Sequence, residues 1–123
     1  MREEKYSFEK LEAWKKAKDL ALFIYEITSK FPDTEKYGLI NQMRKCAIGI
    51  PSHLAEGSGR ITGKDKAHFT SMAYSTLMEL LNQTIISHDL GYIILSDYET
   101  AKKKIKELSP FFLSKLRQSQ LNA

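Results

Sequence analysis

Residues 42–60 read QMRKCAIGIPSHLAEGSGR and contain a helix, its buried faces and its terminator. From two residues before this stretch, apolar residues recur at alternating steps of three and four, the spacing that lines one face of an α-helix. They are Ile40, Met43, Ala47, Ile50 and Leu54. Pro51 lies inside this pattern, which continues to Ala55, so we expect the proline to kink the helix without ending it. Gly57 and Gly59 follow, and glycine suits the left-handed turn that closes a helix. The stretch predicts a helix that is packed on several sides and ends near Gly57.

Three further segments show the same helical period. The first follows Ser7, a candidate N-cap, and the third follows Thr62, which with Asp65 resembles a capping box. The fourth begins at Ser96 in the capping-box sequence SDYE, and Pro110 lies inside it. No segment alternates with the period of two that marks a half-buried strand, so the sequence predicts one all-α domain over residues 1–123, an antiparallel up-down-up-down four-helix bundle. Its predicted helices span about 7–31, 34–58, 63–90 and 97–118.

Composition and cysteine content restrict the class of protein. The content of 42% hydrophobic and 28% charged residues suits one globular domain of 123 residues. The longest apolar run, residues 20–25, is far shorter than the roughly 20 residues that span a bilayer, and the N-terminus lacks the apolar core of a signal peptide. The single cysteine, Cys46, excludes an intramolecular disulfide framework and fits a reducing compartment. We therefore expect a cytoplasmic protein that does not enter a membrane.

The sequence does not match the motifs of common catalytic or metal sites. A helical bundle can hold a di-iron carboxylate site, which needs two inward Glu-x-x-His pairs and two further glutamates. The chain has one loose Asp-x-x-His match at residues 65–68 and a pair in reversed order at 53–56. The Gly-Ser-Gly sequence at 57–59 follows a helix, whereas phosphate-binding loops follow a strand, and no Gly-x-Ser-x-Gly elbow is present. The sequence therefore predicts no enzyme, no cofactor and no metal site.

Two groups of basic residues are candidates for phosphate binding, one around the second loop and one on the fourth predicted helix. The first comprises Arg44, Lys45, Arg60, Lys64 and Lys66. The second is the run Lys102, Lys103, Lys104 and Lys106, in which Lys102, Lys103 and Lys106 are the candidate contacts. The alternative for the second group is a solvated helix face opposite Ala101, Ile105 and Leu108. Neither group alternates with aromatic residues, so stacking on bases is not indicated. The net charge of +4 permits contact with nucleic acid without demanding it.

Three further expectations concern individual surfaces. Trp14 lies in the apolar stripe of the first helix, which predicts its burial between helices. Charged side chains beside small or apolar surfaces must be paired with opposite charges to be tolerated. We therefore predict a structural network of ion pairs among Arg44, Glu56, Arg60 and Glu79. A second apolar stripe on the first helix predicts either a surface between copies of the chain or cover from other helices of the same chain. It comprises Leu20, Phe23, Ile27 and Phe31.

The signature at residues 42–60 resembles that of the four-helix bundle proteins encoded in intervening sequences of bacterial 23S rRNA genes. The similarity covers about residues 8–92 and extends to FxxLxxW at 8–14, FPxxExYGL at 31–39, Glu79 and LGY at 90–92. The chain departs from the family pattern at His53-Leu54, Lys45 and Ser75-Thr76, where the family usually has Asn-Ile, arginine and Gly-Ser.

The resemblance implies a bacterial cytoplasmic bundle. Related accessory variability proteins of diversity-generating retroelements form ring-shaped homopentamers that bind nucleic acid and a reverse transcriptase. For this chain the resemblance therefore implies a non-catalytic homo-oligomer, with a pentamer as the expected state. Basic surface residues would bind RNA, DNA or a ribonucleoprotein, and a reverse transcriptase or another nucleic-acid enzyme is a further expected partner. The alternative is a protein–protein interaction scaffold with no nucleic-acid role.

Overall fold

The computed structural model describes residues 5–122, which form an all-α structure without strands. Its α-helices are α1 (Glu12–Thr28), α2 (Leu39–Ser58), α3 (Gly63–Asp89), α4 (Leu95–Glu107) and α5 (Pro110–Leu121). Short 3-10 turns at Ser7–Lys10 and Asp33–Glu35 precede α1 and α2. The predicted all-α class is confirmed. Residues 1–4 and 123 of the predicted domain lie outside the described residues.

The longest helix, α3, organises the packing, because it contacts α2, α4 and α5. α1 packs against α2 and α4. Every α-helix contributes to one hydrophobic core, whose buried side chains include Leu20, Ile24, Met43, Ile50, Leu77, Leu80, Ile105 and Leu113. Because these side chains come from all five helices, the core fixes how the surface residues of α3, α4 and α5 face one another. No helix within residues 5–122 is both long and apolar enough to cross a bilayer.

The first helix is shorter than predicted at both ends. Leu11 is extended, with φ −78° and ψ 121°, so the chain makes a 3-10 turn after Ser7 and enters α1 only at Glu12. Trp14, which we expected to be buried, is half-buried. Its ring meets the ring of Phe8 edge to face, with centroids 5.1 Å apart. The 3-10 turn therefore covers part of the tryptophan, and the Lys18 ammonium lies 5.1 Å from the centre of its ring.

The second apolar stripe of the first helix is covered mostly within the chain. Leu20, Ile27 and Phe31 are buried, and Phe23 is half-buried with the Lys104 ammonium 5.6 Å from its ring centre. The interpretation in which helices of the same chain cover the stripe is therefore correct for these residues. The stripe gives no support to a surface between copies.

Small residues and local caps shape the corner between α2 and α3. α2 continues through Pro51 to Ser58. A Cβ atom on Gly57 would lie 2.8 Å from the Cβ of Phe69, so the missing side chain lets α2 and α3 approach closely. The backbone N–H of Asp65 donates to Oγ1 of Thr62 over 3.1 Å, which is the N-cap expected from the sequence. Gly91 follows α3 with φ +82°, the left-handed turn that glycine permits.

The fourth predicted helix is two helices. α4 begins at Leu95, and its N-cap residue, Ile94, makes no side-chain capping bond, so the predicted capping box at Ser96 does not start it. α4 ends at Glu107, and Pro110 is at the start of α5. Proline disfavours the helical conformation in the preceding residue but suits the first helical turn, whose N–H groups lack partners anyway. Pro110 therefore separates two helices instead of kinking one.

Candidate nucleic-acid interface

A groove between α3 and α4 contains all three candidate lysines of the second group. It has a volume of about 610 Å³. Met78 and Leu81 of α3 and Ile105 of α4 are its apolar lining, and Glu99 and Ser109 also line it. The remaining lining residues are Lys102, Lys103 and Lys106. We call this surface the lysine groove.

The lysine groove carries an excess of positive charge. Its three lysines are exposed, and no ion pair within residues 5–122 involves them. Among the described residues that line the groove, Glu99 is the single carboxylate. The Lys102 ammonium lies 5.3 Å from the centre of the Tyr98 ring, whose other neighbour is the stacked ring of His88 at 3.9 Å. The groove therefore presents a cluster of ammonium groups with little internal compensation, which suits an anionic ligand.

The neighbouring Lys104 has a different environment. It is half-buried, and its ammonium donates to Oδ2 of Asp19 over 2.5 Å, linking α4 to α1. Lys104 thus joins α4 to α1, whereas Lys102, Lys103 and Lys106 remain available to solvent or to a ligand.

The first group of candidates does not form one cluster. Arg44 precedes Arg60 by 16 residues on and just beyond α2, which is about 24 Å along a helix axis. Arg44 instead contacts α1: its Nε donates to Oγ1 of Thr28 over 2.9 Å and its Nη2 to the carbonyl of Tyr25 over 3.3 Å. Its guanidinium carbon lies 4.7 Å from the centre of the Tyr25 ring. Lys45, the next residue, is exposed.

The remaining first-group candidates lie at the corner between α2 and α3. The guanidinium carbon of Arg60 lies 4.6 Å from the centre of the Phe69 ring. Lys64 is exposed and Lys66 is half-buried. Ile61, which lies between Arg60 and Lys64 in sequence, is 97% exposed. This corner is basic, and its three cations lie outside the lysine groove.

The predicted network of charged residues is wrong. No ion pair in the described part of the chain links Arg44, Glu56, Arg60 and Glu79. Glu79 accepts a hydrogen bond from the thiol of Cys46, and Arg44 bonds to α1. The expectation failed because sequence spacing along α2 cannot show that backbone and hydroxyl oxygens of α1 come within reach of Arg44.

Arg117 was missed by sequence reasoning. Its Nε donates to Oγ of Ser71 over 2.9 Å, which ties α5 to α3. Ser71, Ser75, Met78 and Leu81 follow one another on α3 at steps of four, three and three, so they share one side of the helix. Arg117 therefore lies beside the same side of α3 as the lysine groove. Its sequence surroundings carry no signal for this, because the contact depends on the break at Pro110.

Metal binding gains no support from the described residues. Within them, no group of three or more His, Cys, Asp and Glu side chains is arranged to hold an ion. The buried Nδ1 of His53 has no hydrogen-bond partner in this part of the chain. Its ring lies 6.5 Å from the Phe69 ring. The cavity that it lines also contains His68 and Met72, but no carboxylate or cysteine is among the described residues that line it.

One protein family matches most of the chain. It is described as "23S rRNA-intervening sequence protein", and the match spans residues 9–113. This span includes the signature at 42–60 and the lysine groove. No curated protein matches the chain.

Proposed function

Because the chain belongs to the 23S rRNA-intervening sequence protein family, we propose that it is a non-catalytic helical protein that binds RNA or DNA through the lysine groove. The observation that carries this proposal is the placement of Lys102, Lys103 and Lys106. These three ammonium groups line one groove, and Glu99 is the only carboxylate among the described residues that line it. A solvated helix face needs no such groove, so the geometry favours a ligand over the alternative of a run of purely solubilising lysines.

The geometry suits phosphates better than bases. Lys102 and Lys106 are one turn apart, about 6 Å along α4, and Lys103 is adjacent, so one strand can meet several ammonium groups with successive phosphates. Lysine acts as a flexible point charge without the planar fork that reads a base edge. The apolar lining from Met78 and Leu81 offers contacts that do not depend on sequence. Binding is therefore expected to show little sequence preference.

We also propose that the helices form an antiparallel up-down-up-down bundle. Contacts at both ends of α2 support it. The hydroxyl of Ser87, late in α3, lies 3.4 Å from the sulfur of Met43, early in α2. Gly57, late in α2, faces Phe69, early in α3. In this arrangement α4 and α5 together form the fourth segment.

We also propose that the chain forms a homo-oligomer, with a pentamer as the expected state. Support comes from apolar side chains exposed where α3 leads into α4, since exposed apolar surface often marks an interface. Those that are more than half exposed are Leu90, Ile94 and Leu95. Assembly would repeat the lysine groove and strengthen weak phosphate contacts. The resemblance to accessory variability proteins adds a reverse transcriptase, or another nucleic-acid enzyme, to the proposed partners.

Fluorescence anisotropy with a labelled single-stranded RNA, a single-stranded DNA and a duplex tests the proposal. Contacts to phosphates release counterions, so log affinity should fall linearly with log salt by about 0.7 to 0.9 per phosphate neutralised. Scrambled oligonucleotide sequences should bind equally well. Absence of binding to all three probes at low salt would contradict the proposal and favour the protein–protein scaffold, which the same exposed apolar residues support.

A further inference from the structure

A second cavity, between α3 and α5, has different chemistry from the lysine groove. Its volume is about 300 Å³, at the lower end of the range for small-molecule sites. It is lined mainly by hydroxyl side chains, with one apolar and one cationic residue. They are Ser71, Tyr74, Ser75, Ser114, Leu113 and Arg117. We call it the α5 cleft.

The charge of the α5 cleft is uncompensated. None of the described residues that line it is a carboxylate. Arg117 is exposed, and the bond from its Nε to Ser71 holds the guanidinium at the cleft wall. Its two terminal nitrogens have no hydrogen-bond or ion-pair partner in the described part of the chain. An oriented guanidinium with free terminal N–H groups is the geometry that binds carboxylates and phosphates with two parallel hydrogen bonds.

The remaining lining determines what else a ligand must carry. Leu113 is buried and Tyr74 is half-buried, so the interior offers apolar and aromatic contact. The serine hydroxyls can donate or accept and adapt to a polar edge. The hydroxyl of Thr70, also at the cleft, is already committed to Oε1 of Gln120 over 2.7 Å. An inorganic ion would leave the apolar lining unused, whereas a small organic molecule would use both parts.

We propose that the α5 cleft binds a small organic anion. Its phosphate or carboxylate head group contacts the terminal nitrogens of Arg117, and its short apolar or aromatic body packs against Leu113 and Tyr74. This site goes beyond the proposed nucleic-acid binding, because it uses α5 and none of the three lysines of the lysine groove.

Titration of the whole chain with three probes of similar size tests the site. Phenyl phosphate and benzoate carry the two candidate head groups, and benzyl alcohol is the neutral comparison. Backbone amide NMR shifts should move at Ser71, Ser75 and Ser114 with at least one anion at millimolar concentration. The alcohol should bind at least about tenfold more weakly, as expected for loss of a charge-assisted pair. The preferred anion identifies the head group.

Two variants and a control complete the test. Arg117→Gln should weaken anion binding at least about tenfold, and Ser75→Phe should abolish it by filling the cleft while Arg117 stays. Arg60→Gln makes the same chemical change at a residue that does not line the cleft and should have no effect. Failure of both anions to move these amides overturns the proposal, as does binding that survives Arg117→Gln. Nucleic-acid binding that persists in Arg117→Gln and Ser75→Phe would leave the lysine groove proposal intact, so the two proposals fail separately.

Discussion

The thiol of Cys46 donates a hydrogen bond to Oε2 of Glu79 over 2.8 Å and so joins α2 to α3. Burial, followed by this bond to a carboxylate, raises the pKa of the Cys46 thiol from its ordinary value of 9.0 to about 11. Both effects favour the protonated form, because a buried thiolate loses solvation and would face the negative carboxylate. The cysteine is therefore a packed hydrogen-bond donor at neutral pH and a poor nucleophile.

Alkylation of native Cys46 by iodoacetamide at pH 8 should be slow. The raised pKa alone reduces the thiolate fraction about a hundredfold relative to an ordinary cysteine. Glu79→Gln removes the negative acceptor and should speed the reaction, whereas Glu56→Gln, on an exposed residue of α2, should not. Mass spectrometry over time measures the rates. Rapid alkylation of the native chain, at the rate of a free thiol, would show that the Cys46 thiol is accessible and that its pKa is not raised.

The same pKa shift predicts a pH dependence of stability. The folded thiol keeps its proton above pH 9.0, where the unfolded thiol loses it, so the contribution is complete below pH 9.0 and is lost as pH rises towards about 11. Other groups titrate in this range, so the melting temperature must be compared with that of Cys46→Ala at each pH. The advantage of the natural chain should shrink between pH 9 and 11. A difference that stays constant would contradict the assigned shift.

Gly57→Ala should destabilise the fold by about 1 to 3 kcal/mol, because the added Cβ would meet the Cβ of Phe69 at 2.8 Å and the carbonyl of Lys66 at 3.4 Å. Gly49→Ala, in the same helix, is the matched control. Its added Cβ meets only the Thr76 methyl at 3.4 Å, so helix propensity should make it neutral or stabilising by up to about 1 kcal/mol. Urea denaturation measures both. Equal effects at the two glycines would argue against the close approach.

Arg44→Gln should lower the free energy of unfolding by about 1 to 2 kcal/mol, because it loses the contacts to Thr28 and Tyr25. Its nucleic-acid affinity should stay unchanged, since those contacts hold the guanidinium against α1. Lys45→Gln, at the exposed neighbouring position, should change neither quantity. Denaturation and anisotropy measured on the same samples separate the two roles. Unchanged stability with weakened binding would assign Arg44 to the nucleic-acid interface instead.

His53→Leu should leave the free energy of unfolding unchanged or raise it by about 1 kcal/mol, since it removes a buried nitrogen without a hydrogen-bond partner. His68→Leu on exposed surface is the comparison and should have little effect. A loss of stability in His53→Leu, beyond that of His68→Leu, would mean that the imidazole makes a contact that the leucine cannot replace.

Local signals in the sequence were sufficient for α3. Its N-cap, Thr62 with Asp65, and the glycine that follows it, Gly91, are both signals local in sequence. The predicted span of 63–90 agrees with Gly63–Asp89 to within one residue. At Pro110 the local signal was ambiguous, because a proline can kink a helix or begin one. The structure has α5 packed on α3, and such long-range packing leaves no mark in the local pattern.

The candidate site was predictable only in part. The lysine run at 102–106 was visible, but helical period alone could not distinguish a solvated face from a groove wall. That distinction depends on Met78 and Leu81, which come from another helix and appear in sequence as ordinary core residues. The roles of Arg44 and Arg117 were not predictable either, since their partners are a backbone carbonyl and two hydroxyls brought close by tertiary packing.

The most direct test of the lysine groove compares two triple variants with the same change in charge. One is Lys102→Gln, Lys103→Gln and Lys106→Gln in the groove, and the other is Arg60→Gln, Lys64→Gln and Lys66→Gln at the α2–α3 corner. Anisotropy titrations with single-stranded RNA across a salt series should show an affinity loss of at least about tenfold for the groove variant, together with a salt slope reduced by about 1 per lost phosphate contact. The corner variant should lose much less. The lysine groove would be contradicted as the interface if the groove variant kept its RNA affinity and salt slope while the corner variant bound more weakly with a reduced salt slope.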